Sequence, residues 1–180
     1  MHPGVGYDRG MPDTSPGRPS TTSRLGSVAR AAIYLLTPLV AGGLGGIVTA
    51  GNIATWYRTL DRPSWTPPDW AFGPVWTTLY ICIGIAGWLV ARRGESGLAR
   101  LWWMQLALNA AWSPVFFGLH QVGAAAAIIV AMWGAIAAFI LGARRRAAVA
   151  ALLFLPYLFW VSYATALTLE ILRRNGASPE

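Results

Sequence analysis

The sequence predicts an all-α integral membrane protein, a bundle of five transmembrane helices. Of its 180 residues 55% are hydrophobic and only 12% are charged, and the mean hydropathy is +0.46. Five stretches of about 19 to 23 residues carry no charged side chain, which is the length needed to cross a bilayer. This composition excludes a soluble enzyme, a coiled coil and a disordered chain. The single cysteine, Cys82, excludes a disulfide framework and a cysteine-rich metal site.

The chain divides into a tail, a membrane domain and a short end. Residues 1–27 are rich in Gly, Pro, Ser and Thr and are predicted to be a disordered N-terminal tail. Residues 28–175 form the predicted five-helix membrane domain, and residues 176–180 a short C-terminal tail. At about 1.5 Å per residue, each span can cross a hydrocarbon layer of about 30 Å. The predicted spans are residues 31–51, 70–91, 101–119, 122–143 and 147–169.

The spans are predicted to be helices because backbone groups in lipid must form their hydrogen bonds internally. No stretch shows the period-two alternation of a membrane β-barrel. The connections between spans two and three, three and four, and four and five are short, which predicts that sequential helices are antiparallel neighbours. Only the first connection, residues 52–69, is long.

Arginines predict the orientation of the bundle. All 14 basic residues are arginines, and the net charge of +7 is interpreted as a topology signal, with no nucleic-acid partner expected. The bias predicts a cytoplasmic N-terminus in a plasma membrane, and an outer membrane is left open. The outer side carries Arg58, Arg62, Arg173 and Arg174, and the other side Arg9, Arg18, Arg24, Arg30, Arg92, Arg93, Arg100, Arg144, Arg145 and Arg146.

The spans lack the residues on which ion-coupled transport and hydrolytic catalysis depend. No Asp, Glu, Lys or Arg lies inside any of them, which disfavours ion-coupled transport. The only histidines are His2 and His120, so no catalytic triad can be assembled. We expect no metal site.

Aromatic and amide side chains are predicted to share one layer near the outer side. Counted from the outer ends of the spans, Trp76 lies about 9 Å deep, Trp112 about 10 Å, Trp160 about 14 Å and Asn109 about 15 Å. The pattern leaves open whether these tryptophans pack the bundle or contact a ligand, and whether the amides only bridge helices.

The third span carries a polar stripe. Gln105, Asn109 and Ser113 recur every four residues, and this face is predicted to point into the bundle. Tryptophans near the span ends are instead interpreted as interfacial anchors: Trp70, Trp88, Trp102 and Trp103.

Small residues predict close helix packing in the first span. Four glycines occur between Gly42 and Gly46, and this spacing lets helices approach closely. Whether they serve internal packing or a dimer interface is left open.

The first connection is the most specific feature of the chain. Three prolines and three aromatic residues occur within WYRTLDRPSWTPP at 56–68, which predicts a stiff, apolar lid. Together with DWAFGPVW at 69–76, NAAWSPVFFG at 109–118 and PYLFW at 156–160, it closely resembles the TspO/MBR family. These are the tryptophan-rich sensory proteins and the translocator proteins, or peripheral-type benzodiazepine receptors. The resemblance covers about residues 33–175.

The resemblance implies a five-helix bundle with a pocket under the first loop. Such proteins are commonly homodimers, and membrane lipids are expected to surround them. The implied function is a membrane receptor or carrier, sensory or scavenging, for tetrapyrroles such as protoporphyrin IX and heme and similar lipophilic ligands. We add Trp65 and Trp112 to the expected ligand-binding residues. The positions that match the family's pocket are Tyr57, Pro67, Phe72, Trp76, Asn109, Trp160 and Ala164.

Two alternatives accompany the receptor. Some family members are linked to light- and oxygen-dependent breakdown of protoporphyrin, which implies an enzyme with Trp76 and Trp160 as catalytic residues. A scaffold with a vestigial pocket is the other. The segment at 167–175 departs from the family's cholesterol-associated segment, so sterol recognition is not carried over.

The tetrapyrrole is expected as a ligand, with no cofactor required. A porphyrin ring can stack on indoles, and its propionates seek cations at the rim, where the loop carries Arg58 and Arg62. Axial ligation of iron needs His, Cys, Met or Tyr, and His120 is interpreted as a solvated helix-end residue. We therefore expect metal-free porphyrin to bind at least as well as heme.

Overall fold

The structure is a computed structural model that describes residues 21–179. No strand occurs in this part of the chain. A 3-10 turn, Asp69–Ala71, precedes the third helix, and a π-helical turn, Pro114–Gly118, continues the fourth. The helices are α1 (Thr21–Ile53), α2 (Trp56–Thr59), α3 (Phe72–Arg92), α4 (Ser96–Ser113), α5 (Val122–Ala143) and α6 (Ala148–Asn175).

The prediction of an all-α membrane bundle with five long helices is confirmed. Helices α1, α3, α5 and α6 are each long and apolar enough to cross a membrane. Helix α4 does not reach that hydropathy, because it carries Arg100, Gln105 and Asn109. The two amides are buried inside the bundle. Large apolar side chains such as Ile47 and Phe159 are exposed on the outer faces, as expected for a surface that contacts lipid.

The five long helices form a closed ring in the order α1, α3, α6, α5, α4. Helix α5 packs against α4 and α6, as the short connections predict. The same prediction was wrong for α3 and α4, which contact each other little. Helix α3 packs instead between α1 and α6, because Gly84 lets the backbone of α1 come close: an added Cβ would lie 3.1 Å from the Leu35 Cα.

Helix α1 begins earlier than the sequence predicted. Residues 21–27 belong to it, whereas they were assigned to the disordered tail that was predicted over residues 1–27. The last proline before the helix is Pro19, so nothing after it prevents helical extension ahead of the apolar run. The rest of the predicted tail, residues 1–20, lies outside the described residues.

Trp102 was wrongly interpreted as an interfacial anchor. Its side chain is fully buried, and its indole Nε1 donates a hydrogen bond to the Ile83 carbonyl oxygen at 2.8 Å. The indole packs over Gly87, where a side chain would overlap the ring. Trp102 therefore fastens α4 to α3 inside the bundle, at one of the few places where these helices meet.

The first connection is fastened to the C-terminal end of α6. The Asn175 side chain accepts a hydrogen bond from the Asp61 backbone N–H and donates one to the Asp61 carbonyl oxygen, both at 2.9 Å. Arg174 also forms an ion pair with the Asp61 carboxylate at 3.1 Å. Beyond the helix, the Pro179 carbonyl oxygen accepts a hydrogen bond from the Trp56 indole at 3.3 Å. These contacts define the loop end of the bundle.

Replacing Asn175 with leucine should loosen this loop. Both hydrogen bonds to the Asp61 backbone are lost, at a cost of about 1–3 kcal/mol. We expect trypsin to cleave the exposed bond after Arg58 several-fold faster, as followed by mass spectrometry. The control is Ser178→Ala, which removes a hydroxyl that contacts only Gln121. Equal cleavage rates in the two variants would show that Asn175 does not hold the loop.

Candidate functional site

A cleft of about 530 Å³ lies between α1 and α3 in the loop half of the bundle. Its floor is the end of α4 and the π-helical turn, and its mouth is half open between the two walls. It is lined by Leu39, Gly42, Gly43, Gly45, Gly46, Thr49, Ala50 and Ile53 of α1, Asp69 of the 3-10 turn, Phe72, Gly73, Trp76, Thr77 and Tyr80 of α3, and Trp112, Ser113 and Phe117.

The α1 wall of the cleft consists mainly of glycines with two different roles. At Gly42 the Tyr80 ring packs directly against the helix, and at Gly45 an added Cβ would lie 3.3 Å from the Ser113 hydroxyl. At Gly43 and Gly46 nothing lies within 4 Å of an added Cβ. The first pair therefore brings α1 close to its neighbours, and the second pair leaves the space of the cleft.

The opposite wall is aromatic. Trp76 and Tyr80 are one helical turn apart on α3, and their rings stack with centroids 5.4 Å apart. Phe72, one turn earlier, contacts the edge of Trp160 with centroids 6.1 Å apart. Two further aromatic residues, Trp112 and Phe117, complete the lining. Such a wall can stack flat, apolar molecules, and Thr49, Thr77 and Ser113 add hydroxyl groups.

A second, smaller void lies deeper, beneath the aromatic wall. It measures about 10 Å³, close to the smallest space that holds one water molecule. Trp76, Tyr80, Trp112 and Ser113 line both this void and the cleft. The remaining lining residues are Asn109, Ile129, Met132, Val161 and Ala164.

Asn109 connects three helices at this void. Its Oδ1 accepts a hydrogen bond from the Tyr80 hydroxyl of α3 at 2.9 Å, and its Nδ2 donates one to the Tyr157 hydroxyl of α6 at 3.0 Å. The Tyr157 hydroxyl in turn donates to the Met132 sulfur of α5 at 3.3 Å. The predicted polar stripe therefore faces the interior, and Asn109 bridges helices. The Gln105 side chain donates only within its own helix, to the Trp102 carbonyl oxygen.

Two indole N–H groups at the site have no hydrogen-bond partner. The Nε1 atoms of Trp112 and Trp160 are both buried, and neither has an acceptor within reach. A buried donor without a partner is unfavourable by about 1–3 kcal/mol. Trp112 lines both cavities, whereas Trp160 lines neither.

Six of the nine predicted ligand-binding residues lie together at this site. Phe72 lines the cleft, Trp76 and Trp112 line both cavities, and Asn109 and Ala164 line the inner void. Trp160 lines neither cavity, but its ring contacts Trp76 edge-on with centroids 6.5 Å apart.

The other three predicted residues lie elsewhere. Tyr57 is buried at the loop end against Phe116 and Phe117, with the Arg62 guanidinium 4.7 Å above its ring. Burial raises the pKa of the Tyr57 hydroxyl, and Arg62 opposes that shift. Trp65 is 45% exposed, and Pro67 lines an open concavity of the loop. None of the three lines the cleft or the inner void.

The pocket was predicted under the first loop, and the structure instead has a half-open cleft between α1 and α3. The loop is fastened to α6, because the Tyr163 hydroxyl of that helix donates to the Trp65 carbonyl oxygen at 2.6 Å. The interior beneath it is filled by the cluster of Trp56, Tyr57, Phe116 and Phe117. The cleft is therefore beside this cluster and not under it.

His120 lies outside both cavities. It has a left-handed backbone conformation (φ 56°), and its ring stacks on Trp56 with centroids 4.1 Å apart. Its Nε2 lies 3.4 Å from the Asn52 Oδ1. The expected solvated helix-end residue is instead a packing residue of the loop end. No histidine or cysteine lines the cleft within the described part of the chain.

Sequence reasoning missed Tyr80 and the open glycines as site residues. Tyr80 could have been found, because it follows Trp76 by four residues and so shares its helix face. The roles of Gly43 and Gly46 could not, because the spacing of glycines in one helix does not reveal which of them meet a partner.

Fold and site together define a class: a multi-pass α-helical membrane protein whose bundle contains an aromatic-lined cleft near one end. A model of the TspO/MBR family matches residues 34–174, so the chain belongs to that family. It is 40% identical over 126 residues to a tryptophan-rich sensory protein of Cereibacter sphaeroides, covering 69% of this chain and 80% of the relative.

Two further relatives have similar coverage. The chain is 36% identical over 154 residues to Protein CrtK of Rhodobacter capsulatus, covering 82% of this chain and 94% of the relative. It is 36% identical over 148 residues to the Translocator protein of Homo sapiens, covering 79% and 88%. The resemblance seen in the sequence motifs is confirmed.

Proposed function

We propose that this protein is a membrane receptor or carrier that binds tetrapyrroles and similar flat, lipophilic molecules in the cleft between α1 and α3. One observation carries the proposal: a cavity of about 530 Å³ whose wall is aromatic on one side and glycine on the other. Its volume lies within the range of about 300–1,000 Å³ that is typical of small-molecule sites.

The shape of the cleft favours a planar ligand. Glycines at Gly43 and Gly46 leave one wall flat, and the stacked rings of Trp76 and Tyr80 offer a π surface on the other. Of the residue types that ligate heme iron, only tyrosine occurs among the described residues of the cleft, and the Tyr80 hydroxyl already donates to Asn109. Binding is therefore expected to depend on ring stacking, and metal-free protoporphyrin IX should bind at least as well as heme.

The relatives support a role in sensing or transfer only by their names. One is called a sensory protein and another a translocator protein. A cleft that is half open along the bundle suits both roles, because a ligand can exchange without unfolding the loop.

Substitution of Trp76 tests the proposal. Trp76→Leu removes the ring that lines both cavities, and we expect the dissociation constant for protoporphyrin IX in darkness to rise about 30-fold, roughly 2 kcal/mol. Quenching of protein fluorescence in detergent measures it. The matched control is Trp133→Leu, because Trp133 is 41% exposed on α5 and lines neither cavity. Equal affinities in the two variants, or no saturable binding by the unaltered protein, would refute the proposal.

A second candidate function is light- and oxygen-dependent breakdown of the bound porphyrin. The observation that favours it is the contact between the indoles of Trp76 and Trp160, since Trp76 lines the cleft and both rings are oxidisable. If it holds, illumination in air should convert bound protoporphyrin to a defined product, and Trp160→Phe should abolish conversion while dark affinity is retained. Conversion at the same rate in the variant would point to photochemistry without a catalytic residue.

We also propose a plasma-membrane location with the N-terminus in the cytoplasm. Arginine is more abundant at the end opposite the loop, where α3 ends at Arg92, Arg93 follows it, and three arginines, Arg144 to Arg146, follow α5. Labelling of single cysteines from each side of intact cells tests this. A homodimer is proposed on the family resemblance, with exposed apolar helix faces as the available surface, and cross-linking in membranes tests it.

A further inference from the structure

Four arginines lie at the loop end, and they differ in how firmly they are held. Arg173 and Arg174 each contact the Glu170 carboxylate at 2.7 Å, and Arg174 also pairs with Asp61. Arg62 lies over the Tyr57 ring.

The ion pair of Arg58 is the longest of those at the loop end. This pair is a single contact to the Asp69 Oδ2 at 3.5 Å, and the Arg58 side chain is 60% exposed. Exposed pairs of this kind contribute little to stability, so exchanging one partner for another costs little.

Asp69 borders both the cleft and the loop. Among the described residues that line the cleft, it alone carries a carboxylate, and it also lines the open concavity of the loop. It therefore lies where the cleft meets the loop, and its contact with Arg58 brings a guanidinium to the same point. An anionic group on a molecule in the cleft would face the Asp69 carboxylate, and like charges at close range repel each other.

We propose that Arg58 makes the cleft selective for ligands that carry a carboxylate, and that Asp69 weakens this selectivity by competing for the Arg58 guanidinium. The ligand's carboxylate replaces that of Asp69 on the Arg58 guanidinium, whose planar fork of donors can bind it with two parallel hydrogen bonds. Asp69 competes for the same donors and repels ligands whose carboxylate does not reach Arg58. This inference rests on the proposed function and specifies the ligand class: flat, lipophilic carboxylic acids.

Substitutions of Arg58 and Asp69 should change the affinity for a carboxylic acid in opposite directions and should have little effect on the affinity for its ester. Arg58→Gln removes the cation but keeps a polar side chain, so it should weaken binding of protoporphyrin IX, a dicarboxylic acid. Asp69→Asn removes the competitor, so it should strengthen that binding. The dimethyl ester of protoporphyrin has the same ring without the charges, and it reports ring binding alone.

The experiment measures dissociation constants for the acid and the dimethyl ester with the full-length protein in detergent, in darkness. The readout is the ratio of the two constants, because a change in folding affects both ligands alike. We expect the preference for the acid to fall about three- to tenfold in Arg58→Gln and to rise by a similar factor in Asp69→Asn. The control, Arg173→Gln, should leave the ratio unchanged, because Arg173 pairs with Glu170.

The outcomes separate this inference from the function on which it rests. If both ligands bind and the ratio is the same in all variants, the selectivity assigned to Arg58 is refuted and the receptor function stands. If Arg173→Gln shifts the ratio as much as Arg58→Gln, the effect comes from general surface charge and the inference is also refuted. If neither ligand binds the unaltered protein saturably, both the inference and the proposed function fail.

Discussion

Replacing Gly84 with leucine is expected to destabilise the bundle strongly. An added Cβ would lie 3.1 Å from both the Leu35 Cα and the Tyr34 carbonyl oxygen, which are backbone atoms of α1. Backbone cannot rotate away as a side chain can, so the rest of the leucine forces α1 from α3. We expect a loss of about 3 kcal/mol or more, measured as a lower midpoint of thermal unfolding in detergent.

The control for this prediction is Gly134→Leu on α5. Nothing lies within 4 Å of a Cβ added at Gly134, and the residue is in the middle of its helix. Both variants replace glycine by leucine within a helix and so change helix propensity in the same way. The difference between their unfolding midpoints therefore measures the effect of the close contact between α1 and α3. If the two midpoints are equal, the close contact at Gly84 does not hold the bundle together.

Much of the fold could be predicted from the sequence, because the length of each uncharged, apolar run gives the length of the helix that crosses the membrane. The five uncharged runs match five long helices, and α5 coincides with its predicted bounds of residues 122–143. The change from α-helix to a π-helical turn at Pro114 also follows from the residue type, because proline cannot donate the backbone hydrogen bond of an α-helix. The inward direction of Asn109 followed from the unfavourable burial of an amide in lipid.

The order of the helices around the ring was harder to predict from the sequence. Connection length says which helices can be neighbours, but contact between α1 and α3 depends on small residues on both helices, and the chain has glycines in many positions. The fully buried Trp102 shows the same limit, because its place near a span end was typical of an anchor and only its partner, the Ile83 carbonyl, distinguishes it.

The position of the cavity also could not be inferred from depth alone. The depth count correctly grouped Trp76, Asn109 and Trp112, since all three line the inner void. It could not show that Tyr57 and its aromatic neighbours fill the space under the loop, because that depends on long-range contacts such as the one between Tyr163 and Trp65.

Replacing Gly46 with phenylalanine should abolish ligand binding while leaving the fold intact. Gly46 lines the cleft, and nothing lies within 4 Å of a Cβ added there, so the new ring can occupy the cleft without displacing the protein. It would take the space between the glycine wall and the aromatic wall. We expect affinity for protoporphyrin IX to fall at least about 100-fold, roughly 2.7 kcal/mol.

The matched control is Gly51→Phe on the same helix. Gly51 also has nothing within 4 Å of an added Cβ, but it does not line the cleft. Titrating both variants with protoporphyrin IX in darkness, after checking that their thermal unfolding midpoints agree, tests directly whether the cleft between α1 and α3 is the ligand site. The expected result is binding by Gly51→Phe with the affinity of the unaltered protein and none by Gly46→Phe. Undiminished binding by Gly46→Phe would contradict it and place the ligand elsewhere on the protein.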